Sequence, residues 1–477
     1  MSISNRYLLT LMANLLRAGL NFIVSIALAR YLMPEQYGSY QYLVSILTAI
    51  LLFANMGTEK AYFTFISEGM KPWKFHAGYY LWQLLQLTVL MSIIYFLNEN
   101  WLNSIFHELE SSLILVGLIA LFMASSVQTT VIHLFESVRK TAYAQILSVG
   151  IAMFHLILMV YFIVIGMLDI KLIFQIMIVE YGIYLSAVIL LIRYKRIKLY
   201  SNTAFDVWHT LNAFYSYSKP LFLYALIAFV YTFFDRWLIQ TYVGPEGQAF
   251  YSISIQFSTL SILVTSSILN IFWKEIAEAI KQENREKVKE YYIAISDNIF
   301  IFTTMVSMVL FFFSHEIITF FYGEVYMGAL LVFKLIMLYT ITQSLAQLYV
   351  TYYMATSQTA LYTKISYFFI FVSFPISFYL LSDYGLNMDE TGIALKMLVL
   401  NIITVLVLEY YIAKHLQIKM RILKKAFIIA GFFLVTHCIH SCAGYLSNEL
   451  AMQAFLVIFL YILPIMVYLV KNIKKEF

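Results

Sequence analysis

Arg17, Glu180, Asp235 and Arg236 stand inside runs of apolar residues long enough to cross a lipid bilayer. An ionised side chain at mid-bilayer costs about 2.5–3.5 kcal/mol on insertion scales, so such groups turn toward a protein interior or a wet cavity. Arg17 falls about halfway along the first run, too deep to snorkel to the surface. Its planar fork donates paired hydrogen bonds to phosphate or carboxylate oxygens. Either it meets a ligand or it forms a structural ion pair, for which Glu180 is the candidate partner. Asp235 and Arg236 are adjacent, hence about 100° apart on a helix; one can face a cleft while the other stitches two helices. Glu180 and Asp235 are the groups that could take up a proton or a sodium ion. Lys334 and Lys396 lie near span ends where long stems snorkel. Asp297 and Glu409 are expected to be solvated, and His133 and His155 to be packing residues.

Polar uncharged residues add a pattern. The segment RYLMPEQYGSYQYLVSILTAILLFAN at 30–55 has a counterpart 211 residues later, TYVGPEGQAFYSISIQFSTLSILVTS at 241–266. Tyr31 matches Tyr242, Pro34–Glu35 matches Pro245–Glu246, and Tyr40 matches Tyr251. After each Pro-Glu turn comes a stripe at helical spacing: Ser45, Thr48 and Asn55, then Gln256, Thr259 and Ser266. Such spacing puts the members of each stripe on one helix face. In lipid that face either hydrogen-bonds to a neighbouring helix or lines a wet cavity; the matching offset favours a cavity shared by two halves. Gln343 and Gln347 share a face in the tenth span, as path lining or as glue between helices.

The elements that carry these residues follow from composition. The 477 residues are 62% hydrophobic and 12% charged, against about 45–50% and about 25% in an ordinary soluble domain. Lipid is therefore the solvent for most of the chain. At roughly 20 apolar residues per helix, the sequence predicts fourteen spans: 8–32, 38–56, 77–97, 111–135, 141–166, 171–193, 219–242, 248–272, 292–314, 327–354, 361–381, 391–413, 426–446 and 452–470. The first is too long for a cleavable signal, with no A-x-A-like site after it. The segment 274–292 is rich in helix formers and reads as a surface helix at the interface. Cys438 and Cys442 suit helix packing and make no disulfide framework.

Charge supports the same count. With both termini in the cytoplasm, the outer loops hold only Arg30 and Lys171 among the lysines and arginines. Arg17, Arg236, Lys334 and Lys396 fall within spans, and every other basic residue is inside, as the positive-inside rule requires. One missed span would invert every later loop. Six helices per half is an even number, so the halves are parallel repeats: 1–198 and 199–418, with 419–477 an added helix pair. The expected fold is thus all-α and integral to the membrane.

These residues resemble a family. ALARYLMPEQYGSYQYLVSI, and DRWLIQTYVGPEGQAFYSISIQF in the seventh and eighth spans, are similar to the signature regions of polysaccharide transporters. Those are the flippases for O-antigen and related lipid-linked oligosaccharides within the multidrug/oligosaccharidyl-lipid/polysaccharide (MOP) exporter superfamily. Arg30, Pro34, Glu35 and Gly38 match the first motif, and Asp235 and Arg236 the second; Ala249 replaces Gly38 in the second copy. The resemblance implies two six-helix lobes around a cationic cavity that accepts an undecaprenyl-diphosphate-linked oligosaccharide in a bacterial inner membrane. A polysaccharide polymerase and a chain-length regulator would act on the product. Substrate contact would fall to Arg17, Arg236, Asp235 and the two stripes, with Glu180 and Asp235 for ion coupling.

Neither a phosphate-binding G-x-x-x-x-G-K-[ST] loop nor H-E-x-x-H or G-x-S-x-G is present. The expectation is a carrier without enzymatic chemistry, cofactor or metal. Alternatives are a multidrug cation antiporter or a lipid II flippase of the same superfamily. A glycan polymerase or ligase is disfavoured by short acidic outer loops.

Overall fold

A computed structural model describes residues 3–107, 109–201 and 205–446, with the side chains of 1–8, 260–268, 270, 271 and 442–446 outside that description. Ser266, Cys442 and the expected span 452–470 therefore lie outside the described side chains or residues. The chain is all-helical: α1 (Ile3–Asn55), α2 (Thr58–Glu68), α3 (Trp73–Phe96), α4 (Glu99–Phe106), α5 (Ser111–Phe122), α6 (Gln128–Ser137), α7 (Thr141–Val164) and α8 (Ile170–Tyr194). There follow α9 (Val207–Tyr242), α10 (Pro245–Lys281), α11 (Arg285–Phe312), α12 (Ser314–Phe321), α13 (Leu330–Ala355), α14 (Thr359–Leu381), α15 (Asp389–Leu416) and α16 (Ile422–Leu446). A helix satisfies its own backbone hydrogen bonds, the condition lipid imposes on any spanning segment.

Among the described residues 11 helices are long and apolar enough to cross a membrane. One of them, Leu9–Asn55, holds two of the expected spans joined at Met33, whose φ of 62° breaks the helix. The described helices thus carry the first thirteen expected spans in order, α10 supplying the eighth.

The repeat is visible in the backbone. Met33 and Gly244 occupy the same place in the two copies, both at positive φ (62° and 94°). A proline follows each, at the start of a helix, where its fixed φ fits and its missing N–H costs nothing. Glycine takes this conformation freely, whereas methionine is strained in it. Side chains brace each elbow at the same offset. Ser25 and Tyr37 share a hydrogen bond of 2.6 Å between hydroxyls, and Arg236 donates to Gln248 over 3.1 Å.

The chain divides into two compact units, Met1–Gln248 and Ala249–Phe477. In the first, Tyr42, Leu43, Ile46 and Leu47 of α1 pack with Ile114 and Leu118 of α5 and Phe174 of α8. Here α9 joins the first unit: Trp237 donates to the Ser104 carbonyl over 2.8 Å, and Thr241 meets His107 at 3.3 Å. The core of the second unit joins Phe272, Tyr292, Tyr349, Tyr352 and Tyr353. Each tyrosine brings a large apolar body and a polar tip that needs a partner. Tyr353 donates to the Leu408 carbonyl at 2.9 Å and Tyr352 meets His415 at 2.7 Å.

Two local expectations change. The segment 274–292 is not a separate surface helix. α10 runs on to Lys281, a turn at Glu283 (φ 55°) reverses the chain, and Asn284 caps α11 by accepting from Lys287 N–H over 3.0 Å. Ile276, Ala279 and Val288 are buried there, so the strong helix formers extend two spans into a hairpin. The loop after α8 is also shorter than expected. Asp206 accepts from His209 N–H at 3.1 Å and starts α9 well before the apolar run. An Asp at an N-cap ahead of Trp208, Leu211 and Tyr215 was the available signal.

Candidate functional site

Asn55, at the end of the first polar stripe, caps α2 and lines a cavity. Its side-chain oxygen accepts from Glu59 N–H at 3.0 Å, and its amide donates to Glu59 Oε2 at 2.9 Å. The other Glu59 oxygen lies 3.3 Å from His133 Nε2, and His133 Nδ1 stands 3.6 Å from Glu136. The imidazole stacks on Phe63 with ring centres 4.2 Å apart. His133 is thus held between two carboxylates and is not the plain packing residue expected from its apolar surroundings. Glu59, which sequence reasoning passed over, is the hub of this cluster. Its place four residues after a stripe residue was the only hint.

Asn55, Glu59 and Lys60 share a cavity of 330 Å³ with Leu52 and with Tyr224, Phe229 and Thr232 of α9. That falls in the range of about 300–1,000 Å³ usual for ligand pockets. Carboxylate, amide, ammonium and aromatic faces together suit a polar ligand carrying hydroxyls. Ser45 and Thr48 lie half-buried further along the same face, while Ile46 and Leu47 between them are buried.

A second polar group lies deep in the first unit. Glu180 is 1% exposed, and its Oε2 is 2.8 Å from His155 Nδ1. Its Oε1 has no hydrogen-bond partner among the described residues, nor has Gln145 Oε1 on α7, and the Ser148 and Tyr184 hydroxyls lie beside one another on α7 and α8. Buried polar atoms are normally satisfied, so this cluster has capacity for a proton, an ion or water. Arg17 acts electrostatically on Tyr181 and Tyr184 of α8. It does not pair with Glu180: its guanidinium donates to Asn14 at 2.9 Å, and no carboxylate of the described residues is within ion-pair distance. His155 takes the place expected for Arg17.

The Asp-Arg pair is placed at the second elbow. Asp235 is buried, and Arg236 donates to the Gln248 side chain while the Gln248 amide donates back to the Arg236 carbonyl. Of the second stripe, Gln256 accepts from Tyr322 over 3.4 Å and Thr259 is exposed, donating to the Ile255 carbonyl at 2.9 Å.

Two carboxylates of the second unit meet cations from another helix. Asp297 receives Arg421 at 2.6 Å and Lys424 at 2.7 Å; Glu409 receives Lys425 at 2.8 Å. Neither acid is simply solvated, because basic residues at the start of α16 fold back onto α11 and α15. Lys396 does not snorkel either: it is 3% exposed and donates to Ser377 at 2.8 Å. Lys334 lies over the Phe311 ring at 5.5 Å. No cluster of potential metal ligands occurs among the described residues.

An all-helical chain of many spans with an internally repeated elbow defines a membrane transporter fold of the MOP type, and solved structures agree. The chain is similar to the lipid II flippase MurJ in an inward closed conformation, with 16% identity, a TM-score of 0.72 and coverage of 98% of this chain and 100% of that one. An inward-facing multidrug resistance MATE family transporter of the MOP superfamily matches at 13% identity and TM-score 0.62, over 87% and 95% of the two chains. A MOP superfamily transporter from Pyrococcus furiosus, described by a reversed polarity of its binding pocket, matches at 11% and 0.57, over 87% and 96%. Comparison with curated proteins gives no match. Residues 5–272 match the family described as "Polysaccharide biosynthesis protein". The chain belongs to that family.

Proposed function

We propose that the protein flips an undecaprenyl-diphosphate-linked oligosaccharide, an O-antigen or capsular repeat unit, across a bacterial inner membrane by alternating access. The observation that carries this reading is Arg17: a half-buried guanidinium in a spanning helix, held by an amide and met by no carboxylate among the described residues. A charge left uncompensated in that setting favours an anionic ligand, and its fork matches a diphosphate. The cavity of Asn55, Glu59 and Lys60 offers the sugars hydrogen bonds and aromatic faces. Membership in a polysaccharide biosynthesis family supports a glycan cargo.

On this reading both termini are cytoplasmic, and lobes 1–198 and 199–418 rock against each other. Arg236 and Asp235 hold the second elbow as its hinge, and Ser45, Thr48, Gln256, Thr259 and Ser266 line the path. The buried Glu180–His155 pair takes up and releases a proton or ion as the lobes move. No covalent step is needed; a polymerase and a chain-length regulator consume the product. The test is a deletion strain. Loss of the protein should trap a lipid-linked oligosaccharide on the cytoplasmic leaflet, and its sugars would name the cargo. Trapped lipid II with surface polysaccharide intact would move the assignment to peptidoglycan, and no trapped glycolipid at all would overturn it.

A further inference from the structure

A second cavity of 460 Å³ adjoins the first, on the other side of one backbone turn. Its walls come from α2, α3 and the first turns of α9, and they are mainly aromatic: Phe75, Tyr79, Trp82, Phe214 and Tyr215. The turn at Gly57 stands between the two cavities. Gly57 holds φ 77°, and a Cβ there would lie 2.7 Å from the Leu221 side chain, so the turn is pressed directly against α9. Met56 and Thr58 face the aromatic cavity, while Asn55, Glu59 and Lys60 face the polar one. α9 repeats this division, with residues up to Ser218 on the aromatic side and Leu221 to Thr232 on the polar side.

We propose that the aromatic cavity seats the part of the isoprenoid chain nearest the diphosphate, so that the Gly57–Leu221 contact divides tail from head. The inference rests on the flippase reading above. Three features select this occupant. The two cavities follow one another along α9, so an amphiphile whose sugars enter the polar one presents its chain toward the aromatic one. Flat aromatic walls suit a methyl-branched, unsaturated chain through close dispersion contact. At the divide stands Ser218, 9% exposed, with a hydroxyl that has no partner among the described residues. Beside it in the chain, Lys219 lies 5.9 Å from the Tyr215 ring. The buried Ser218 hydroxyl is a donor which a phosphate oxygen at the junction would meet.

The test uses full-length protein in lipid nanodiscs and a polyprenyl diphosphate bearing a photoreactive group on its second isoprene unit. Labelling should fall in α3 and in residues 205–218, and unlabelled polyprenyl diphosphate should compete while phosphatidylglycerol does not. Gly78 lines the cavity with no atom within 4 Å of its would-be Cβ, so Gly78→Phe fills the space without a clash. It should reduce labelling there about tenfold, roughly the loss of 1.4 kcal/mol of binding. Gly150→Phe, equally unhindered on α7, should leave labelling unchanged. Phe214→Ala, which removes a wall instead of filling the space, is the second variant if Gly78→Phe does not fold. Undiminished labelling in both cavity variants, or competition by phosphatidylglycerol, would overturn the cavity assignment alone. The absence of any competed labelling on the whole protein would remove the flippase reading with it.

Discussion

Two regions handle charge differently: the corner where α16 meets α11 and α15 in the second unit, and the interior of the first. In that corner Asp297 has Arg421 and Lys424, and Glu409 has Lys425, whose ammonium also reaches Tyr349 at 3.0 Å. These pairs staple α16 to α11 and α15. In the first unit, among the described residues, Arg17 meets only an amide, Glu180 pairs with His155 through one oxygen alone, and Glu59, held by Asn55 and His133, faces a cavity. Unmatched charge in a low-dielectric interior is costly. On the proposed reading it persists where a ligand completes it, and Arg17 is the group that would meet the cargo. The comparison makes four predictions.

The largest effect should come from Arg17→Ala. Surface polysaccharide should disappear while the protein still inserts and folds, because no structural pair is broken; immunoblotting of membranes and glycan gels read the two outcomes. Wild-type polymer in that variant would remove Arg17 from the mechanism. Arg17→Lys should recover only part of the activity, since an ammonium lacks the paired fork.

Next is the Glu180–His155 pair. His155→Leu strands a carboxylate that is 1% exposed, and removing one partner of a buried pair costs about 3–5 kcal/mol. The melting temperature in detergent should fall accordingly. Adding Glu180→Gln should restore most of the stability without restoring transport. Recovery of both would reduce the pair to a structural element.

Lys425→Ala probes the other unit. Its ammonium and the Glu409 carboxylate are 12% and 7% exposed, so the loss should approach the lower end of that range, about 3 kcal/mol. Per-molecule transport should survive in the folded fraction. Abolished transport with an unchanged melting curve would contradict the division of labour between the units.

The sequence made the spans legible because hydrophobicity over some twenty residues is a long signal. The elbow repeat was legible for another reason: Pro-Glu marks a helix start, and its copy stood at a fixed offset. What lay beyond reach was side-chain partnership. Nothing local distinguishes His155 as the partner of Glu180, because the two approach only when α7 and α8 pack antiparallel. Arg236 illustrates the same limit. It read as a charge available to a ligand, yet it sits at the position equivalent to Ser25, and both brace an elbow. Met33 and Gly244 show that backbone geometry outlasts sequence identity. The cavity residues Glu59, Tyr224 and Phe229 come from two helices far apart in the chain, so no spacing rule could group them.

The smallest effect concerns His107, at the end of α4 in the first unit and outside the spanning helices. Its ring meets Tyr42 edge-on at 5.7 Å and Thr241 at 3.3 Å, and burial lowers its pKa from the usual value. A histidine whose folded pKa lies below its unfolded one binds protons more readily when unfolded. Its contribution to stability is therefore complete above about pH 6.5 and is lost as pH falls through the folded value. The exposed Glu110 is held below the usual carboxylate value by the Ser112 hydroxyl and Lys171, so its titration does not overlap this window. Melting curves between about pH 7.5 and pH 5 should show a modest decline in wild type that is smaller in His107→Gln. A decline of undiminished size in the variant would place the titrating group elsewhere.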